Sequence, residues 1–148
     1  MKALFAVLVS ITILSSEIAT ENEVKMISDL ASYGLEVAQD CAKENRVSLV
    51  KIMSSLLLSR SAADRNSKCA IACILENFFL LIDNKVETAM VAQFLDVIPT
   101  DSLKTQAAGL INKCEKKGKG PDRCENAYAF ALCLKQNGAV TLIRAVLG

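Results

Sequence analysis

Apolar residues recur along most of this chain at three- and four-residue steps, the period of an amphipathic helix and not of a strand. Between Glu23 and about Lys43 the recurring positions are Val24, Ile27, Leu30, Ala31, Leu35 and Ala38. A second helix is predicted over Arg46 to Leu58, then a loop from Ser59 through Ser67, then a third helix from about Lys68 to Ile82. Asp83, Asn84 and Lys85 read as a turn, followed by a fourth helix from about Val86 to Val97. Pro99 ends it, and Thr100 or Asp101 caps a fifth helix from Ser102 to about Lys116. Lys117 through Gly120 is a glycine-rich loop. Pro121 suits the first turn of a sixth helix that Asn137-Gly138 stops. After it, Leu142, Ile143, Val146 and Leu147 fall on one side of a short C-terminal helix. Val, Ile and Thr never alternate with polar residues long enough to argue a sheet. The expectation is an all-α fold: a six-helix, disulfide-stapled compact domain around an apolar cavity, plus a short C-terminal helical segment.

The N-terminus breaks this pattern. Met1 and Lys2 precede an unbroken apolar run from Ala3 to Leu14, and Ser15, Ser16, Ala19 and Thr20 supply small residues beyond it. That order is a secretory signal peptide, residues 1–20, with cleavage between about 16 and 20. The run is too short for the roughly 20 apolar residues a membrane span needs. Residues 21–148, about 128 residues, are then one domain with enough chain for a core.

Export changes the reading of the six cysteines, Cys41, Cys69, Cys73, Cys114, Cys124 and Cys133. An even number in a secreted chain is a disulfide framework. Cys69 and Cys73 share one helix face, so each reaches another segment instead of its neighbour. Cys124 and Cys133 point to opposite sides of the sixth helix and fasten different neighbours. Six cysteines allow fifteen pairings, and spacing alone does not choose among them.

Composition removes several classes of function. The sequence has no histidine, which excludes Ser–His and Cys–His nucleophilic pairs, a His–Asp dyad and His-ligated zinc. With every cysteine paired there is no thiol nucleophile, and no pair of carboxylates is set apart by its surroundings. Neither an enzyme nor a metal or cofactor site is expected. The net charge of +1 argues against nucleic acid as a partner. The basic run Lys113, Lys116, Lys117, Lys119 and Arg123 reads as a solvated loop without interleaved aromatic residues.

The cysteine gaps carry a resemblance. Cys69-AIA-Cys73 leaves three residues between the second and third cysteines, and Cys124-ENAYAFAL-Cys133 leaves eight between the fifth and sixth. With the signal, the size and the helices, the chain resembles the insect odorant-binding protein family, of the six-cysteine pheromone and general odorant-binding type. The resemblance implies bridges Cys41–Cys73, Cys69–Cys124 and Cys114–Cys133, each worth at most about 3–4 kcal/mol by loop closure.

It also implies a secreted soluble carrier, in sensillum lymph or another body fluid, that holds small apolar molecules such as odorants or pheromones. The ligand-lining candidates are Met53, Leu56, Leu57, Phe78, Met90, Phe94, Leu110, Tyr128, Phe130, Leu142 and Ile143. Tyr128 and Asn77 are the first polar groups to consider for orienting a ligand, with Tyr33, Ser54 and Thr88 behind them. On the third helix, Ile71, Ile74, Leu75, Phe78 and Ile82 are expected on the side away from its cysteines. The implied partners are a small hydrophobic ligand and an olfactory receptor or a membrane surface; the protein would be a monomer or weak homodimer. The alternative is a secreted structural or signalling protein on the same scaffold, its interior filled and non-binding. Lacking histidine, a carrier of this sequence would keep its affinity between about pH 7 and 6.

Overall fold

The computed structural model describes residues 25, 28–57, 63–96, 98 and 100–147, the side chains of Ala92, Phe94, Val146 and Leu147 excepted. The signal-peptide reading of residues 1–20 lies outside them. The chain divides into two units, residues 1–34 and 35–148. Helix α1 covers residues 28–44, and its turns from Leu35 onward belong to the second unit, whose packing is described below.

Helix α2 is Leu49–Leu57, α3 Arg65–Asn77, α4 Val91–Leu95, α5 Asp101–Glu115, α6 Arg123–Gln136 and α7 Ala139–Leu147. Each well-formed start has a polar cap. Asp64 accepts from the Ser67 N–H, Thr100 from Leu103, and Asp122 from both Cys124 and Glu125. These caps satisfy backbone donors that a helix start leaves without partners. They also correct two expectations. Arg65 to Ser67 belong to helix α3 and not to the preceding loop, because Asp64 is the cap. Pro121 precedes the Asp122 cap and lies outside α6.

Two helix ends close through residues in the left-handed region. Arg46 (φ 54°) follows α1, its N–H donating to Lys43 O while the Val47 N–H donates to Ala42 O. Arg46 therefore terminates α1, where the hydrophobic period had placed it at the start of α2. Phe79 (φ 57°) does the same for α3: Phe79 N–H donates to Glu76 O and Leu80 N–H to Leu75 O. This paired bonding is the Schellman arrangement, and it ends α3 five residues before the expected Ile82.

Beyond Leu80 the chain forms a small hairpin, where the apolar period had suggested helix on both sides of a turn. Strands β1, Leu81–Ile82, and β2, Lys85–Val86, pair antiparallel with Leu81 opposite Val86 and Ile82 opposite Lys85. Asp83 (φ 51°) and Asn84 (φ 67°) form the two-residue turn, whose double positive φ matches the right-handed strand twist. Leu81 and Val86 are buried while Ile82 and Lys85 are exposed. The fourth helix starts at Val91 and not at Val86, because Val86 is committed to the hairpin. Pro99 and Leu58 lie outside the described residues.

The six cysteines form three bridges. Cys41–Cys73 ties α1 to α3, Cys69–Cys124 ties α3 to α6, and Cys114–Cys133 ties α5 to α6. The Cα atoms of Cys69 and Cys124 are 4.5 Å apart, and Ala70 and Ala127 beside them are fully buried. Small side chains at that point let the two helices approach. Around the crossing, ion pairs Arg65–Asp122 (2.8 Å), Lys68–Glu125 (3.0 Å) and Arg123–Glu76 (2.7 Å) border the α3–α6 contact.

Candidate ligand-binding interior

The main core gathers residues from five helices and the hairpin: Ala42, Ile52, Ile71, Leu81, Val86 and Phe130 are among its buried members. Leu56 of α2, Leu110 of α5 and Tyr128 of α6 are half-buried against it. Four of the sequence candidates thus meet in one place: Leu56, Leu110, Tyr128 and Phe130. Phe130 is only 1% exposed, so its ring is enclosed by protein atoms.

Phe78 belongs to a different, smaller cluster with Val37, Cys41, Cys73 and Ile74. This corrects the expected geometry of α3. Ile74 and Phe78 pack against the Cys41–Cys73 bridge instead of facing away from it, and Ile82 leaves the helix for the solvent face of the hairpin. Ile71 and Leu75 remain with the main core.

Met53, Leu57, Met90 and Ile143 are exposed, Ile143 most of all at 56%. Leu142 is half-buried on α7, which packs on α5 and α6. The Phe94 side chain lies outside the described residues. On α2 the row turned inward is Ile52 and Leu56, one helical turn apart, while Val50, Met53 and Leu57 face outward. Ile52 was missed from the sequence although it shares the i, i+4 row with Leu56. Three apolar rows run along α2, and only the neighbouring helices select the buried one.

The polar candidates are engaged with the protein itself. Asn77 Nδ2 donates to Cys73 O at 2.9 Å, and Ser54 Oγ donates to Val50 O at 2.8 Å. Thr88 Oγ1 donates to Glu115 Oε2 at 2.6 Å. That bond, with a second from Lys119, holds the Glu115 carboxyl below its ordinary pKa. Tyr128 lies under the Lys68 ammonium, 5.0 Å from the ring centroid, a cation–π contact. Tyr33 belongs to the other unit. One buried polar residue carried no signal in the sequence. Asn126 donates to Asn84 O at 2.6 Å and Gly120 O at 2.8 Å, pinning the hairpin turn to the loop before α6.

The basic run is largely spoken for. Lys113 donates to Asn137 Oδ1 at 2.6 Å, Lys119 bridges Val86 O, Glu87 and Glu115, and Arg123 pairs with Glu76. Hydrogen bonds from Lys51 and the Ser67 N–H lower the Asp64 pKa to about 2. Those from Arg65 and the Glu125 N–H do the same for Asp122. These are carboxylates held ionised in ion pairs and caps. Among the described residues no cluster of acidic, His or Cys side chains has the form of a metal site, and no helix is long and apolar enough to cross a membrane.

This architecture has known counterparts. The sequence model of the PBP/GOBP family matches residues 27–137, a span that holds all six cysteines. The chain belongs to the PBP/GOBP family. Its fold is similar to that of the odorant-binding protein dmelOBP28a from Drosophila melanogaster, with a TM-score of 0.58 at 21% identity. The match covers 76% of this chain and 95% of that one. A comparison with curated proteins found no match. At that identity the likeness speaks for the PBP/GOBP fold, three interlocked bridges holding a helical body, and leaves the cargo to be argued from the residues.

Proposed function

We propose that this protein is a secreted carrier of small, neutral, largely hydrocarbon molecules, released from a precursor by cleavage between about residues 16 and 20. The observation that carries this reading is that Leu56, Leu110 and Tyr128, from three different helices, are half-buried against one apolar core in a body of PBP/GOBP family type. Half-buried side chains of several helices are the groups a ligand would finish covering. Leu142, half-buried on α7, is the next residue of the proposed lining.

A chain of twelve carbons gains about 9–10 kcal/mol on leaving water. Association costs of about 4 kcal/mol leave a Kd of tens of micromolar. A carrier that must surrender its cargo needs no more. The test is displacement of a fluorescent apolar probe from the oxidised protein by alcohols, esters, aldehydes and fatty acids. Saturable displacement in the micromolar range supports the reading. Failure of every probe to bind correctly bridged protein overturns it. The second reading, a structural or signalling protein with a filled interior, draws on the enclosure of Phe130 and would be favoured by that failure.

A further inference from the structure

The junction between α6 and α7 contains the one Asn-Gly step of the sequence, Asn137-Gly138. Asn followed by Gly is the pair most open to intramolecular attack, because no Cβ shields the glycine nitrogen and its backbone turns freely. Asn137 is exposed. Gly138, at φ 96°, donates its N–H to Lys135 O only at 3.4 Å. The nucleophile is thus weakly held.

The side-chain amide, by contrast, is gripped at both ends. Nδ2 donates to Cys133 O at 2.8 Å, and Oδ1 accepts from Lys113 Nζ at 2.6 Å. Cys133 is bridged to Cys114, the residue next to Lys113. Both anchors therefore hang on a single disulfide. We propose that Asn137 is a deamidation site whose reaction the fold restrains through this two-point clamp, and that its modification loosens α7.

In the reaction the Gly138 nitrogen attacks Cγ of Asn137, a new C–N bond closes a five-membered imide, and Nδ2 leaves as ammonia with the displaced proton. Water then opens the imide at either carbonyl, leaving aspartate or isoaspartate at position 137. Both products lose the amide that donated to Cys133 O. A carboxylate now faces that carbonyl at the C-terminal end of α6, where negative charge is disfavoured. The isoaspartyl form also adds a methylene to the backbone where Leu142 N–H donates to Gly138 O to begin α7.

The experiment is a time course of the oxidised full chain at mildly alkaline pH, read by peptide mass spectrometry for the mass gain at residue 137 and by isoaspartate content. The expected result is deamidation at least about tenfold slower than in the reduced, urea-unfolded chain, the factor that corresponds to about 1.4 kcal/mol. Lys113→Met, at an exposed position, should speed it severalfold with the bridges intact. Asn137→Gln should remove the product. Amide exchange in α7 should rise in the modified fraction. Equal rates in folded and unfolded chains, an unchanged rate in Lys113→Met, or unaltered α7 exchange would overturn the proposal.

Discussion

A single methyl group at Gly118 tests how tightly the hairpin is seated on the body. Gly118 closes the 3-10 turn Lys116–Gly118 and is buried. A Cβ there would lie 2.7 Å from the Cβ of Val86, closer still to Val86 Cγ2, and 3.3 Å from Asn126 O. Rotating the valine moves Cγ2 but not Cβ, so the two backbones must part. Overpacking of this kind costs about 1–3 kcal/mol, and contact with an immobile Cβ puts Gly118→Ala near the upper end. Val86 is fully buried, so Val86→Ala gives up two methyls and leaves a cavity, about 2–3 kcal/mol. Independent effects would sum to about 5–6 kcal/mol. In the double variant the contact with the residue 86 Cβ persists while the new methyl fills space that Cγ2 vacated, so the expected loss is about 4–5 kcal/mol and the coupling about 1 kcal/mol. Guanidinium unfolding of the oxidised proteins, followed by far-UV circular dichroism at constant m-value, measures all three. Additivity of the two substitutions, or a Gly118→Ala protein as stable as the parent, would refute the reasoning.

Other substitutions probe the remaining anomalies. Ser67 is fully buried beside the Asp64 carboxyl, whose pKa its side chain helps to lower, so Ser67→Ala should lower the unfolding free energy by about 1 kcal/mol; a gain would show that the hydroxyl is unpaired. Phe79 is exposed yet held at φ 57°, so Phe79→Gly should stabilise by about 1 kcal/mol in the same assay by relieving the left-handed strain; a less stable glycine variant would count against that strain. The lowered pKa values of Asp64 and Asp122, from 3.8 to about 2, give a sign to the acid limb. Their contribution is complete above the unfolded pKa and disappears as pH falls through the folded one. Stability should therefore decline from about pH 4 toward 2. Asp64→Asn with Asp122→Asn, which keeps the caps but not the charges, should flatten that decline; an unchanged slope would place the acid sensitivity elsewhere.

Much of the fold was legible from local chemistry. Periodicity located α5 and α6 almost to the residue, because Thr100 and Asn137-Gly138 punctuate them with side chains that act on their own backbone. Between Leu75 and Val91 only the turn at Asp83-Asn84 was legible. There the apolar period continued smoothly while Phe79, a residue with no preference for the left-handed region, ended the helix. The Asp83-Asn84 turn then gained support from Asn126, 42 residues further on. Helix α2 failed for another reason: its apolar arc is wide enough to hold three rows, so its own pattern could not say that Ile52 and Leu56 turn inward while Met53 and Leu57 do not.

The helical class, the even cysteine framework and the absence of histidine chemistry follow from residue type and local spacing alone. Packing between elements selected which apolar rows are buried, where the hairpin turn is anchored, and that Thr88 is occupied by Glu115. Those outcomes turn on contacts between residues tens of positions apart, whose energies no local pattern contains.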